Sequence, residues 1–216
     1  MTRTDARTLE HSVLLTIDVQ NDFAQPGPAY VSETNERLPA ISRLAAAFRQ
    51  QRKPIVHVVR FYERDGSNAE PFRARSIREK GPVVAPGSQG AKLAAGVGPG
   101  DDYTLDTELL YAGNLQQIGL KEWVLYKPRW DAFYATRLEE HLRSLGVKTV
   151  VVCGCNLPNC PRATLFGASA RDFNTVLVSD ATSQTTAERL ADLRLIGTEV
   201  CNVEQVLALC GLGNPA

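Results

Sequence analysis

Val147-Lys148-Thr149-Val150-Val151-Val152-Cys153-Gly154-Cys155-Asn156-Leu157-Pro158-Asn159-Cys160-Pro161-Arg162-Ala163-Thr164 runs from a buried-type strand, through glycine and proline turn signals, straight into a helix. A nearly continuous β-branched strand that leads into a helix is the unit of a parallel sheet covered on both faces. Pro161 suits the first helical turn and pushes the residue before it out of the helical region, so the spacing predicts Cys160 as the N-cap. A thiolate there would face unpaired backbone N–H groups and the positive end of the helix dipole, both of which lower its pKa. A cysteine near a helix start also serves well as a small core residue. The rest of the chain has to decide between these roles.

Further apolar runs alternate with helical spacing from one end of the chain to the other. Strands are predicted at 13–19, 55–61, 123–126, 147–153, 175–178 and, weakly, 198–201. Leu38, Ile41, Leu44, Ala45 and Phe48 have helical spacing, as do Leu138, Leu142 and Leu145. Thr185 with Glu188, and Asn202 with Gln205, have the spacing of capping boxes that open the last two helices. The fold class expected is α/β, a three-layer α/β/α sandwich with a mostly parallel sheet of about six strands. One domain over residues 1–216 is expected. Its rhythm breaks at about 62–106, a long insertion rich in glycine, proline and charge that suits a lid, a subunit contact or a solvated loop. A short helix is expected within 105–110, ahead of the third strand.

The 216 residues carry 24 basic and 24 acidic side chains, 44% hydrophobic and 22% charged residues. That balance gives no field for a polyanionic partner, so neither nucleic acid nor a membrane surface is expected. The first twelve residues are polar and no later apolar run could span a bilayer, which makes the cytoplasm the expected address. Five cysteines at 153, 155, 160, 201 and 210 form a poor disulfide framework and fit a reducing compartment.

In a parallel sheet the ligand crevice lies beyond the carboxyl ends of the strands. Asp18 closes the first strand in Leu14-Leu15-Thr16-Ile17-Asp18, Lys127 closes Trp123-Val124-Leu125-Tyr126-Lys127, and Cys160 follows the strand ending at Cys153. An acid, a base and a thiol at neighbouring strand ends make a reaction centre, whereas Asp18 and Lys127 alone would read as a structural ion pair or as solvated ends.

At these positions the sequence resembles the isochorismatase-like cysteine hydrolases, a superfamily that includes nicotinamidases and N-carbamoyl amide hydrolases. The resemblance covers nearly the whole chain. It rests on Ile17-Asp18-Val19-Gln20-Asn21-Asp22-Phe23, on Lys127-Pro128-Arg129-Trp130-Asp131-Ala132-Phe133 with Thr136, on Gly154 six residues ahead of Cys160, and on Val178-Ser179-Asp180-Ala181-Thr182. It implies a catalytic triad of Asp18, Lys127 and Cys160, an oxyanion hole from the backbone N–H groups of Asn156 and Cys160, no cofactor, and a homo-oligomer, dimer or tetramer. The implied activity is hydrolysis of the C–N bond of a small amide, carbamoyl or ureide substrate through a thioester.

The vinyl-ether-cleaving isochorismatases generally lack the cysteine, which favours C–N cleavage. A vinyl-ether hydrolase using Asp18 as acid and a non-catalytic redox thiol protein are the alternatives. The Asp-x-His metal motif of many nicotinamidases is absent after the second strand, and His57 reads as a core histidine, so no metal is expected. The cysteines at 153, 155 and 160 match no common zinc spacing.

The family's cis peptide maps between Cys155 and Asn156, while Pro158 offers a competing position after Leu157. Asn156 and Asn159 suit either substrate hydrogen bonds or the turn itself. Phe23, Trp130, Phe133 and Tyr134 are candidates for the walls of a pocket for a flat substrate, or for packing under the insertion. Arg162, Arg60 and Arg129 are candidates for a substrate carboxylate, with surface solvation the ordinary role of each.

Overall fold

The computed structural model describes residues 9–100 and 102–211. In chain order it contains β1 (Ser12–Ile17), α1 (Asn21–Ala24), α2 (Thr34–Gln50), β2 (Ile55–Val59), α3 (Pro71–Lys80), α4 (Thr107–Tyr111), β3 (Gln116–Gly119), β4 (Glu122–Tyr126), α5 (Leu138–Ser144), β5 (Thr149–Gly154), α6 (Cys160–Ser169), β6 (Asn174–Thr182), α7 (Ala187–Leu195), β7 (Glu199–Cys201) and α8 (Val203–Leu209). The sheet has the order β3-β4-β2-β1-β5-β6-β7. Every neighbouring pair is parallel except β3 with β4. All six expected strands are present. The seventh, β3, is a short, half-buried antiparallel edge strand whose Gln116-Gln117-Ile118-Gly119 carries no apolar run to mark it.

Alternation along the strands divides the core into two layers. Leu14, Val151, Cys153, Val176 and Val178 face Ile41, Leu44, Phe48, Val206 and Leu207 of α2 and α8. Val13, Leu15, Ile17, Val56, Val58, Val150, Val152 and Leu177 face Leu138, Leu142, Leu165, Ala168 and Leu193 of α5, α6 and α7. Leu145 is the C-cap of α5 and is exposed, outside that apolar stripe. Asn202 and Gln205 form the expected capping box on α8. On α7 the cap falls one residue later than the spacing suggests: Thr186, not Thr185, accepts from the Arg189 N–H.

Between β2 and β3 the insertion holds α3 and packs its own apolar cluster, with Phe61, Tyr62, Ile77, Val84, Ala91 and Leu93 joining Phe23, Val59 and Cys155. Gln20 ties it to the sheet: its side chain accepts from the Arg60 N–H at 2.8 Å and donates to the carbonyls of Arg60 at 3.0 Å and Ala91 at 2.8 Å. Such links anchor an irregular segment to the sheet by giving backbone groups of Arg60 and Ala91 a buried partner.

A second buried polar system lies deeper in the sheet. His57 is fully buried between Thr16 Oγ1, 2.7 Å from Nδ1, and Glu122 Oε1, 2.6 Å from Nε2. Burial holds its pKa low against the pull of Glu122. The neutral ring therefore donates through Nε2 to the acceptor-only carboxylate and accepts from Thr16. Arg49 completes the set through Nε, 2.8 Å from Glu122 Oε2. His57 is the satisfied core histidine that its place within a strand suggested.

Sequence order along the sheet reverses between β1 and β5, which makes the carboxyl ends of those two strands the topological switch point. Here the backbones come unusually close. Gly154 has φ +114°, and a Cβ added to it would stand 2.3 Å from the Ile17 carbonyl oxygen and 2.7 Å from the Ile17 nitrogen. Only glycine meets both demands. The Gly154→Ala variant is expected to lose at least about 2 kcal/mol of stability, read as a lower midpoint in urea unfolding.

Candidate active site

Three side chains converge over the switch point. β1 ends at Ile17, and Asp18 takes a left-handed backbone, φ 53°, with its N–H held by the Val58 carbonyl at 2.8 Å. Aspartate tolerates that region better than most residues, and the turn swings its carboxylate across the end of the sheet. Lys127 follows β4, its N–H bonded to the Val59 carbonyl at 3.0 Å. β4 is not adjacent to β1, because β2 lies between them. The expectation of neighbouring strand ends is corrected on this point: the lysine side chain is long enough to reach over β2. Its Nζ lies 2.9 Å from Asp18 Oδ2 and 3.3 Å from Cys160 Sγ, so one buried ammonium joins carboxylate and thiol.

Cys160 sits one step further into the helix than the Pro161 argument suggests. α6 begins at Cys160 itself and Asn159 is the N-cap, with no side-chain cap bond. The expectation of a lowered pKa is also overturned. Burial, then the Asp18 carboxylate, push the thiol up to about 12, outweighing the opposing pull of Lys127. A helix terminus can offset only part of the cost of placing a second negative charge beside a buried carboxylate. The resting site is thus a thiol beside a carboxylate, with Lys127 held above its ordinary value by Asp18 in spite of burial. Asp18 Oδ1 is buried and accepts no hydrogen bond among the described residues, leaving a free lone pair at the site.

The turn between Gly154 and Cys160 presents backbone donors. The Cys155–Asn156 peptide is cis, at the position indicated by the resemblance and not after Leu157. Cys155 bonds back to β1, its N–H to the Ile17 carbonyl and its Sγ to the Asp18 carbonyl at 3.2 Å. Leu157 N–H bonds to Ser183 and Asn159 N–H to Asn156, whereas the N–H groups of Asn156 and Cys160 donate to none of the described residues. The Asn156 side chain is engaged with Gln184 Oε1 at 2.8 Å.

The structure sorts the remaining candidates. Phe23 is buried within the apolar cluster of the insertion, together with Tyr62 and Cys155. Trp130 is partly exposed and meets Phe72 of α3 edge-on, ring centroids 5.9 Å apart. Phe133 is a buried core residue stacked on Phe173, in the same apolar cluster against which Cys160 packs. Tyr134 is exposed on the surface. Asn159 serves the turn as the helix N-cap. Arg162 is exposed, its guanidinium 5.7 Å from the Phe166 ring. Arg129 is exposed. Arg60, expected to be solvated, is 1% exposed, its guanidinium 4.2 Å above the Tyr62 ring and bonded to Phe61 O, Tyr126 Oη and Asn68 O. Tyr62, Glu70 and Arg73 beside it lay in the aperiodic insertion, where no local pattern marks a site. Among the described residues no group of three His, Cys, Asp or Glu side chains could hold a metal ion, and no helix is long and apolar enough to cross a membrane.

Comparison with known proteins follows this geometry. The Isochorismatase domain model matches residues 12–205. The chain belongs to the isochorismatase family. A probable inactive nicotinamidase of Arabidopsis thaliana is 31% identical over 90% of this chain and 93% of its own. The ureidoacrylate amidohydrolase RutB of Azorhizobium caulinodans is 25% identical over 88% of this chain and 84% of its own. Among solved structures, an isochorismatase family protein from Desulfovibrio vulgaris superposes with a TM-score of 0.76 at 34% identity, covering 92% of this chain and 98% of that one. N-carbamoylsarcosine amidase from Thermoplasma acidophilum shares the fold with a TM-score of 0.68 at 22% identity, over 89% and 96% of the two chains.

The charge balance at Cys160 yields a test. Asp18→Asn removes the carboxylate that raises the thiol pKa while leaving Lys127 in place, so iodoacetamide should alkylate Cys160 about tenfold faster at pH 8 in the variant. The wild-type alkylation rate should rise steadily with pH and reach no plateau up to about pH 10, as expected for a thiol pushed up to about 12, and mass spectrometry of the Cys160 peptide across pH reads both.

Proposed function

We propose that this protein is a cofactor-independent cysteine hydrolase that cleaves the C–N bond of a small amide, carbamoyl or ureide compound. The observation that carries the reading is the single ammonium of Lys127, within 2.9 Å of Asp18 and 3.3 Å of Cys160, beside two unused backbone N–H groups. An ion pair kept only for stability has no need of a thiol at its third corner. The names of relatives agree in class, RutB as a ureidoacrylate amidohydrolase and the archaeal protein as an N-carbamoylsarcosine amidase.

In this mechanism Asp18 accepts the thiol proton as Cys160 Sγ attacks the substrate carbonyl, and its orphaned Oδ1 is the natural acceptor. Lys127 stays charged throughout and holds the carboxylate and the nascent thiolate together, so attack and proton transfer are coupled and no free thiolate accumulates. Negative charge then develops on the carbonyl oxygen, where the N–H groups of Asn156 and Cys160 stabilise it. One such donor is worth about 10² to 10³ in turnover. Asp18 returns the proton to the leaving nitrogen, ammonia or amine departs, and a thioester remains. Water attacks that thioester with Asp18 again as base, releasing the acid and restoring the thiol.

Ammonia release from a panel of primary amides, N-carbamoyl compounds and ureides tests the reading. Wild type is expected to turn over at least one class, and Cys160→Ala to lose at least about 10³-fold. Equal release by both proteins would remove Cys160 from the mechanism. Retention of activity in Cys160→Ala with loss in Asp18→Asn would mark acid-catalysed cleavage instead.

A further inference from the structure

β6 ends level with β5: the register pairs Gly154, the last residue of one, with Thr182, the last residue of the other. The next two residues, Ser183 and Gln184, therefore run beside the turn that carries Asn156 and Cys160. Backbone bonds join the two segments. Ser183 N–H donates to the Gly154 carbonyl at 3.1 Å, and Leu157 N–H donates to the Ser183 carbonyl at 3.0 Å. The Ser183 hydroxyl is buried and accepts from Thr34 Oγ1 of α2 at 3.1 Å, which anchors this strip to the helix behind it.

Gln184 is where the strip is held most firmly. Its backbone is left-handed, φ 57°, a region that disfavours any residue with a Cβ and persists where surrounding contacts over-determine it. All four of its hydrogen-bonding groups have partners. Its N–H donates to Glu33 Oε2 at 2.8 Å, and its carbonyl accepts from Arg189 Nη1 at 2.7 Å. Its side-chain Nε2 donates to Ser32 Oγ at 3.1 Å, and Oε1 accepts from Asn156 Nδ2 at 2.8 Å. These partners belong to three segments: the residues ahead of α2, α7, and the turn after β5. Glu33 is itself the left-handed N-cap of α2 and is paired with Arg37 at 3.4 Å. Displacing the Gln184 side chain would break bonds on two sides at once.

At the other end of this network Asn156 is gripped twice, its carbonyl by Asn159 N–H at 3.0 Å and its Nδ2 by Gln184, while its own N–H donates to none of the described residues. Two fixed groups on one residue leave the third aimed. We propose that Gln184 is a positioning residue, which acts through the Asn156 side chain to hold the Asn156 N–H where the substrate carbonyl oxygen is received. The proposal rests on the hydrolase reading for the chemistry. A donor to developing negative charge is effective when it is in place before the charge appears, and it stays in place only through the bonds of the residues behind it. The bonds of Gln184 involve none of Asp18, Lys127 and Cys160, so Gln184 governs the donor and leaves the thiol's ionisation alone.

Gln184→Met keeps the length of the side chain and removes its amide. With a compound that wild type hydrolyses, kcat should fall about tenfold to a hundredfold while KM stays within about threefold. Gln184→Glu keeps an acceptor for Asn156 and should recover part of the loss. Alkylation of Cys160 by iodoacetamide should proceed at the wild-type rate in both variants. Amide hydrogen exchange reads the turn without any substrate: the Leu157 and Asn159 N–H groups should exchange about tenfold faster in Gln184→Met, and those of Val150 to Val152 at an unchanged rate. Full kcat in Gln184→Met, a loss that Gln184→Glu does not relieve, or faster exchange throughout β5 overturns the proposal, the last by making Gln184 a residue of general stability. The two readings fail separately. Wild type that releases no ammonia from any compound defeats the hydrolase, and exchange accelerated in the turn alone still keeps Gln184 as its positioning residue. Active wild type with an equally active Gln184→Met protein keeps the hydrolase and removes the role of Gln184.

Discussion

The buried ion pair between Asp18 and Lys127 is the constraint around which the rest of the site is arranged. Neither side chain is more than 6% exposed, and two charges taken from water are costly unless geometry is good and further partners are present. The pair forms only if β1, β2 and β4 keep their register, because the lysine must cross the end of β2 to reach the acid. It also needs β5 pressed against β1, which Gly154 alone permits, to bring the Cys160 turn within reach. An interaction of this kind does not stabilise the fold cheaply. It holds a thiol and a carboxylate in one poorly hydrated place, where neither would otherwise stay.

The contrast between the two buried ionic systems separates structure from chemistry. In the His57, Glu122, Arg49 and Thr16 set both imidazole nitrogens have partners, and both Glu122 oxygens accept hydrogen bonds. At the site the opposite holds. Asp18 Oδ1 is one of six buried side-chain atoms without a hydrogen-bond partner among the described residues. Native proteins leave few such groups, and this one stands beside the Lys127 ammonium and the Cys160 thiol. The Asn156 and Cys160 N–H groups belong to the same pattern on the backbone.

A protonated resting thiol fits this arrangement. A cysteine held near pKa 12 is shielded from alkylation and oxidation in the absence of substrate. It becomes nucleophilic when the proton has somewhere to go and the carbonyl oxygen is already held. The family's scaffold is shared by proteins of different names, one of them a probable inactive nicotinamidase, so activity follows from the site and not from the fold. In this chain the acid, the ammonium and the thiol are all present and in contact.

Much of this was legible in the chain itself. Continuous Val, Ile and Leu runs such as Val150–Val152 state locally that a strand is buried on both faces, and Pro161 and the Asn202 and Gln205 pair mark helix starts by rules that act over four residues. Asp18 and Lys127 could be named because each places a charge at the end of an apolar strand, and Cys160 because it precedes Pro161 at a helix start after the next such strand, with the family resemblance joining the three. The polar edge strand β3 had no such signal. The core place of Phe133, the exposure of Arg162 and the burial of Arg60 were equally silent, since an aromatic or arginine side chain suits wall, core and surface alike. Sequence by itself thus determined the alternation of strands and helices and the residues able to do chemistry, because these follow from neighbours along the chain. Only the tertiary structure decided that Lys127 spans β2, that the Cys160 thiol rests protonated, and that Arg60 is buried among backbone carbonyls and tyrosine rings. Those facts depend on desolvation and on distances between residues far apart in sequence, quantities that exist only once the chain has folded.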